Sequence, residues 1–150
     1  VLERYLQAVR DTPSDGYRWA ELAQSLALAG DFGARLDWAI GRAQALAPRS
    51  PAVNLALADL RWRYGGLLSP EQQQALEPNL WWSMKDLSQR PLLLERIVRA
   101  RRQAAFCAEY GLRFTGGRWC QSIDADLARC AQPQRLERER QQWCKRVQAP

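Results

Sequence analysis

The chain has 150 residues, 47% of them apolar and 25% charged, which are values typical of globular proteins, and its formal net charge is +6. It contains no histidine, which excludes a Ser-His-Asp triad, a Cys-His pair and any histidine-ligated metal site. No stretch reaches 18 consecutive apolar residues, so the sequence predicts no membrane-spanning helix within these 150 residues.

Apolar residues recur at helical spacing through the first part of the chain, and Pro or Gly residues mark each break. In the first segment, for example, Leu2, Leu6 and Val9 fall on one helical face. No segment gives a convincing strand pattern. The spacing predicts four helices, over residues 2–11, 17–29, 33–47 and 52–64.

The rest of the chain is predicted to be helical as well, although its pattern is looser. Ser69 is predicted to be an N-cap, with Pro70 in the first turn and Gln72 closing a capping box. Pro78 is predicted to end this short helix or to begin another, because proline removes a backbone donor from a helix interior. Further helices are predicted over residues 79–88, 91–110, 119–130 and 134–147.

An internal period of 35 residues is the strongest pattern in the sequence. Pro13 and Pro48 are separated by this distance, and an alanine lies five positions before each of them. Between the two prolines, Trp19 starts a run of apolar positions that leads into a Gly-Asp-Phe turn at residues 30–32. This order resembles the tetratricopeptide repeat, which has a Trp-x2-Leu start, a Gly-Asp-aromatic turn, an alanine on its second helix and a closing proline.

The resemblance covers about 65 residues. Residues 16–49 match one whole repeat with a one-residue insertion after the turn, residues 2–13 match a preceding second helix, and residues 51–64 match a following first helix. The last match is degenerate, because Asn54 stands where Trp or Leu is usual and Arg61 where Tyr is usual. A generic helical bundle with coincidental spacing is the alternative interpretation.

The resemblance implies an all-α fold, a solenoid of antiparallel helix pairs that stack because no pair can bury its apolar face alone. It implies repeats over residues 1–66 and a divergent helical region over residues 67–150, which carries all four cysteines and caps the solenoid. In this family the first helix of each repeat lines a surface that binds peptides. By position, the resemblance places six residues on that protein-binding groove: Tyr17, Arg18, Glu21, Asn54, Ala58 and Arg61.

The excess positive charge lies entirely within residues 91–150, which hold twelve Lys or Arg and six Asp or Glu. The densest cluster consists of Arg96, Arg99, Arg101 and Arg102. A solvated helix face accounts for such a cluster. The second functional hypothesis is a binder of an anionic polymer, either nucleic acid or an acidic polysaccharide.

Cys107, Cys120, Cys130 and Cys144 form an even set without a Cys-x-x-Cys pair, and this favours two disulfides over a zinc site. Buried free thiols are the remaining alternative. A Cys120–Cys130 bond would need to join the two ends of a predicted helix, about 15 Å apart. Two pairings remain, Cys107–Cys120 with Cys130–Cys144, which we favour and which would close a turn at residues 116–117, or Cys120–Cys144 with Cys107–Cys130.

Disulfides predict a location outside the cytosol, most simply a bacterial periplasm. The first residue is Val1 rather than Met. We therefore allow for a preceding segment that anchors the protein in a membrane. The first functional hypothesis is a non-catalytic adaptor or scaffold. Its expected partner is an envelope or membrane protein, in the assembly or export of an envelope component such as a polysaccharide.

The sequence contains little that predicts catalysis. It has no P-loop and no Gly-x-Gly-x-x-Gly motif, and we predict no cofactor, no metal and no catalytic residue. An enzyme that uses an unrecognised carboxylate is the third and least favoured hypothesis, because the carboxylates of the repeat region form no evident pair and lie in no apolar run. These are Glu21, Asp31, Asp37 and Asp59.

Overall fold

The structure, a computed structural model, describes residues 2–114 and 118–149. These residues are helical, as predicted, and contain no strand. The predicted turn at residues 116–117 lies outside the described part of the chain. The α-helices are α1 (Leu2–Asp11), α2 (Gly16–Leu28), α3 (Ala34–Leu46), α4 (Pro51–Tyr64), α5 (Pro70–Lys85), α6 (Gln89–Arg99), α7 (Gln103–Phe114), α8 (Arg118–Arg129) and α9 (Arg138–Gln148), and a 3-10 turn spans Pro133–Arg135.

Side-chain caps set the beginnings of several helices. The predicted capping box of α5 is confirmed, since the backbone N–H of Gln72 donates to Oγ of Ser69 at 3.1 Å and the N–H of Ser69 donates to Oε1 of Gln72 at 3.0 Å. At the start of α2, a carboxylate oxygen of Asp15 accepts from the N–H of Tyr17 at 2.9 Å. These caps satisfy backbone donors that have no partner inside the helix.

Pro78 lies inside α5 and does not end it, contrary to the prediction. A proline in a helix interior costs about 3 kcal/mol. Leu76, Leu80 and Met84 of the same helix are completely buried, and each such side chain contributes about 1.5–3 kcal/mol. The burial of this continuous apolar face outweighs the cost of the proline, so one helix replaces the two that were predicted.

The predicted helix over residues 91–110 is instead two helices, α6 and α7. Between them, the N–H of Arg101 donates to the carbonyl of Val98 at 2.8 Å and the N–H of Arg102 donates to that of Ile97 at 3.0 Å. Arg101 has a φ of 54°. This is a Schellman-type helix end with an arginine at the position where glycine is usual, which explains why the apolar spacing did not indicate it.

The chain divides into two units, Val1–Leu93 and Leu94–Pro150. The division falls within α6, later than the boundary predicted after Gly66, because α5 packs on α4 and belongs with the first four helices. In the first unit, α2 contacts α1, α3 and α4, and α4 contacts α3 and α5. Its core is built around residues of the predicted repeat: Trp19, Leu22, Leu26, Leu36, Ile40 and Leu57.

Helix α4 is the most enclosed helix of the first unit. Every residue from Val53 to Trp62 is buried, including the polar Asn54, Asp59 and Arg61. Helix α2 packs against one side of α4 and α5 against another. Each of these three polar side chains has a polar partner, which is Asn79 for Asn54, Arg63 for Asp59 and Glu77 for Arg61.

In the second unit, two disulfides join Cys107 to Cys120 and Cys130 to Cys144, with Cα–Cα distances of 5.6 and 5.4 Å. This is the pairing that the sequence favoured, and no free cysteine remains among the described residues. Val98, Ile123 and Val147 form one buried apolar cluster of this unit, and Ile97, Phe106 and Tyr110 are buried in this unit as well. The disulfides add a covalent restraint to this apolar packing.

Candidate functional site

The predicted groove residues on α2 are at the surface. Tyr17 and Arg18 are exposed and Glu21 is half-buried. Nη1 of Arg18 donates to Oε2 of Glu21 at 2.8 Å, and this hydrogen bond raises the pKa of the Arg18 guanidinium. These three side chains therefore form an accessible polar strip at the beginning of α2.

The three groove residues predicted on α4 are buried, unlike those on α2. Nδ2 of Asn79 on α5 donates to Oδ1 of Asn54 at 2.8 Å. Nε of Arg61 lies 3.6 Å from Oε2 of Glu77, also on α5, and Ala58 is completely buried. Helix α5 covers this face of α4, and the prediction is corrected accordingly.

The 35-residue period itself explains this correction. It relates Asn54, Ala58 and Arg61 to three residues of α2 that lie in the core of the first unit, namely Trp19, Ala23 and Leu26. Equivalent positions of the two helices therefore face inward. The resemblance placed Asn54 and Arg61 on the groove by position, whereas both side chains meet polar partners on α5.

An actual groove lies one helical face away, between α2 and α4. It contains a cavity of about 210 Å³, and its lining includes Glu21, Gln24 and Leu28 of α2 and Asp59, Arg63 and Tyr64 of α4. The same period pairs Gln24 with Asp59 and Leu28 with Arg63. The 35-residue period therefore relates the groove residues of the two helices. The prediction was wrong on α4 because it chose residues of the face that packs against α5.

The lining of this groove is mixed in chemistry. Leu28 is 70% exposed, which offers an apolar contact at one end. Nη2 of Arg63 lies 3.2 Å from Oδ2 of Asp59, and Nε2 of Gln24 donates to the backbone carbonyl of Ala56 at 3.0 Å. The guanidinium of Arg63, half-exposed, remains accessible to an acceptor from another molecule.

The predicted basic cluster occupies the end of α6 and the connection to α7. Arg99 and Arg101 are exposed, whereas Arg96 and Arg102 are half-buried. Within the described part of the chain, no ion pair involves Arg99 or Arg101. The structure thus exposes two of the four arginines.

The carboxylates named as possible catalytic groups have structural contacts. Asp37 accepts a hydrogen bond from Nε2 of Gln72 at 2.7 Å. The N–H of Gly33, followed by the guanidinium of Arg35, holds the pKa of Asp31 below its ordinary value of 3.8. Across residues 2–114 and 118–149, no group of three or more Cys, Asp or Glu side chains could hold a metal ion.

No helix in the described ranges has both the length and the apolar character required to cross a bilayer. The two disulfides indicate an oxidising environment outside the cytosol. In comparisons with known proteins, the chain matches no family model, no curated protein and no solved structure.

Proposed function

We propose that this chain is a non-catalytic adaptor that binds a segment of another protein in the groove between α2 and α4. The observation that carries this proposal is the cavity of about 210 Å³ in which the exposed Leu28 lies with the polar Gln24 and Arg63. Such a lining offers both an apolar contact and hydrogen-bonding groups, as a peptide backbone with its side chains requires.

We also propose that the first unit is a tetratricopeptide-like solenoid. The order of helix contacts supports this architecture, since α2 packs on α3 and on α4, and α4 packs on α5. Corresponding residues of α2 and α4 also recur on corresponding faces, as with Trp19 and Asn54 in packing and Gln24 and Asp59 in the groove. In this arrangement the groove lies between the first helices of two consecutive repeats.

The proposed location is the periplasm of a bacterium, where the partner would be an envelope or membrane protein. The disulfides support a location outside the cytosol. A role in assembling or exporting an envelope component such as a polysaccharide is the most specific form of this proposal. This proposed role rests on the presence, in one chain, of a repeat-like first unit and a second unit with two disulfides.

Photo-crosslinking in cells that naturally produce the protein tests the groove. A photoreactive amino acid at Leu28 should give one discrete adduct with another protein, and the Arg63→Ala substitution should reduce that adduct at least fivefold. The matched control is the same amino acid at Leu87, which is 79% exposed but does not line the groove. Equal adducts from both positions, or an Arg63-independent adduct, would contradict the proposal.

A second candidate function rests on the exposed Arg99 and Arg101, which form no ion pair among the described residues. They suit an anionic polymer, and the oxidising location favours an acidic polysaccharide over nucleic acid. Arg99→Glu with Arg101→Glu should abolish salt-sensitive binding to polygalacturonate. The matched pair Arg4→Glu and Arg10→Glu changes the net charge equally on α1, and it should leave binding unchanged if the cluster is specific.

A further inference from the structure

Large apolar side chains are exposed at the corner where α5 ends and α6 begins. Among the described residues, four of the exposed large apolar side chains fall within positions 81–92, whereas the other four are spread over positions 17–67. Apolar groups that cluster in this way mark contact surfaces, whereas single ones need no explanation. All of this segment belongs to the first unit. The corner surface, as we call it, consists of Trp81, Trp82, Lys85, Leu87 and Leu92.

Two consecutive tryptophans form the aromatic part of the corner surface. Trp81 and Trp82 lie near the end of α5 and are 36% and 45% exposed. Their rings meet edge to face with centroids 5.0 Å apart, so they present one aromatic surface rather than two separate ones. An indole combines a large apolar ring with one N–H donor, and tryptophan is accordingly enriched where the acyl chains of a bilayer meet its headgroups.

Positive charge lies beside this aromatic surface. Nζ of Lys85 is 3.9 Å from the centroid of the Trp81 ring. Arg49 is exposed as well, and it lines a cavity together with Trp82. Lysine and arginine side chains lay their apolar stems along apolar surface and keep the charged group in a polar environment. The corner surface therefore combines apolar contact area with groups that can pair with phosphate.

No exposed acidic residue lies within positions 78–92, all of which the structure describes. Asp86 is the one acidic residue of this stretch, and it is half-buried. Its Oδ1 accepts hydrogen bonds from the N–H of Ser88 at 2.8 Å, from Oγ of Ser88 at 2.6 Å and from the N–H of Gln89 at 3.1 Å. The carboxylate is thus held against the beginning of α6. Charge complementarity therefore favours a partner that is negatively charged.

Leucine side chains complete the corner surface. Leu87 lies in the connection between α5 and α6 and is 79% exposed, and Leu92, in the first turn of α6, is 48% exposed. An aliphatic side chain on such a loop would need a matching pocket on a protein partner. A bilayer needs none, because its fluid acyl chains adapt to any apolar group that enters them.

We propose that the corner surface binds an anionic lipid bilayer. In this arrangement the side chains of Leu87 and Leu92 enter the acyl region. The two indoles lie at the level of the headgroups, and Lys85 pairs with lipid phosphate. The surface goes beyond the proposed adaptor function, because it holds the first unit at a membrane and shares no residue with the groove between α2 and α4.

Cosedimentation of the full chain with lipid vesicles tests this proposal. We expect binding to vesicles of phosphatidylglycerol and phosphatidylcholine, and binding about tenfold weaker to phosphatidylcholine alone. Leu87→Glu should weaken binding to the mixed vesicles by about tenfold, because a charged group replaces an inserted apolar one. Equal binding to both kinds of vesicle, or binding to neither, would overturn the proposal.

Leu67 provides the matched control for Leu87. It is 64% exposed and lies in the connection at the opposite end of α5. Leu67→Glu makes the same change in charge, and it should leave vesicle binding within about twofold of the parent. Circular dichroism should show that both variants are folded. Equal losses of binding in the two variants would mean that net charge alone controls binding, and this would overturn the proposal.

Quenching of tryptophan fluorescence by lipids with brominated acyl chains locates the surface that enters the bilayer. Trp81→Phe with Trp82→Phe should still bind, because phenylalanine retains an apolar ring, but it should lose most of the quenching seen with the parent. Trp38→Phe is the control, since Trp38 is 57% exposed but lies on α3, and it should retain the quenching. Full quenching in the double variant would show that another surface enters the bilayer and would overturn the proposal.

A photoreactive amino acid at Leu87 distinguishes a bilayer from a protein partner. In cells that naturally produce the protein, this position should give adducts with phospholipid and no discrete adduct with another protein. Mass spectrometry of the crosslinked protein detects both kinds of adduct. A discrete protein adduct at Leu87 would show that a protein covers the corner surface, and it would overturn the proposal.

Discussion

Asn79 on α5 donates from Nδ2 to Oδ1 of Asn54 on α4 at 2.8 Å, and both side chains are almost completely buried. Oδ1 of Asn79 in turn accepts from Nε2 of Gln44 on α3 at 2.7 Å. Three amide side chains from three helices therefore form one chain of hydrogen bonds. Because each partner is specific, this chain fixes how α5 lies on α4 more narrowly than apolar contact alone does.

We predict that the two asparagines are energetically coupled. Asn54→Ala or Asn79→Ala alone should destabilise the protein by about 1–3 kcal/mol, because each leaves a buried amide without its partner. The double variant should be less destabilised than the sum, with a coupling energy of about 0.5–3 kcal/mol. Urea unfolding of all three variants measures this, with Gln74→Ala at the exposed face of α5 as the control. Additive losses would show that the hydrogen bond contributes no specific stability.

Gly16, the first residue of α2, approaches α3 closely. A Cβ atom built on Gly16 would lie 2.7 Å from the Cβ of Ala47 and 3.1 Å from the carbonyl oxygen of Ala43. The partners are a backbone atom and a short side chain, neither of which can rotate away. Glycine at this position allows the close approach of α2 and the end of α3.

Gly16→Ala should therefore destabilise the first unit by about 1–3 kcal/mol, as overpacking typically does. Gly41 is the matched control, since it lies inside α3 and a Cβ there would meet nothing within 4 Å. Gly41→Ala should stabilise the protein by about 0.5–1 kcal/mol through better helix propensity. Thermal unfolding followed by circular dichroism compares the two. Equal effects of both substitutions would mean that the approach of Gly16 to Ala47 is looser than described.

The helices of the predicted repeat could be read from the sequence because several local patterns agree there. Apolar spacing, proline breaks and capping residues all indicate the same boundaries, and the Ser69–Gln72 capping box is a case in which residue identity alone was sufficient. The disulfide pairing was also accessible, since helix geometry had reduced it to two alternatives.

The features that sequence reasoning missed depend on tertiary contacts. Pro78 normally interrupts a helix, and only the burial of α5 along α4 explains why it does not. Arg101 gives no local indication that it adopts a positive φ. On α4, the resemblance placed Asn54 and Arg61 on an open face, whereas α5 covers them and supplies their polar partners. Each of these features depends either on contacts with residues distant in the sequence or on an unusual backbone conformation.

The turn before α3 predicts a dependence of stability on pH. The N–H of Gly33 donates to Oδ1 of Asp31 at 3.2 Å and Nε of Arg35 donates to Oδ2 at 2.7 Å, which together hold the Asp31 pKa below its ordinary value of 3.8. A carboxylate whose pKa is lower in the folded state stabilises the fold above about pH 4, and this contribution disappears as pH falls through the folded pKa.

Asp31→Asn retains an acceptor for Gly33 but removes the charge that pairs with Arg35. The variant should thus be less stable than the parent at pH 7 and equally stable near pH 2. Urea unfolding across this range measures the difference, with Glu3→Gln as the control, because the exposed Glu3 forms no hydrogen bond or ion pair among the described residues. A difference of the same size at both pH values would exclude a titrating origin.

Both disulfides lie in the second unit, and we predict that the stability of this unit depends on them. Cys107–Cys120 and Cys130–Cys144 close short segments, with sequence separations of 13 and 14, and a loop of this size contributes about 3 kcal/mol by restricting the unfolded chain. Val98, Ile123 and Val147 form one buried apolar cluster of this unit, which has no covalent link left after reduction.

We take protein from its native host, denature it without reduction and alkylate it. No cysteine should be modified, and the intact mass of the alkylated protein measures this directly. After reduction, the backbone amides of Ile123 and Val147 should lose protection from hydrogen exchange. Those of Leu22 and Leu57, in the core of the first unit, should keep theirs, because no cysteine lies in that unit. If Ile123 remains as protected after reduction as before it, apolar packing is sufficient for the second unit and the disulfides are dispensable to its fold.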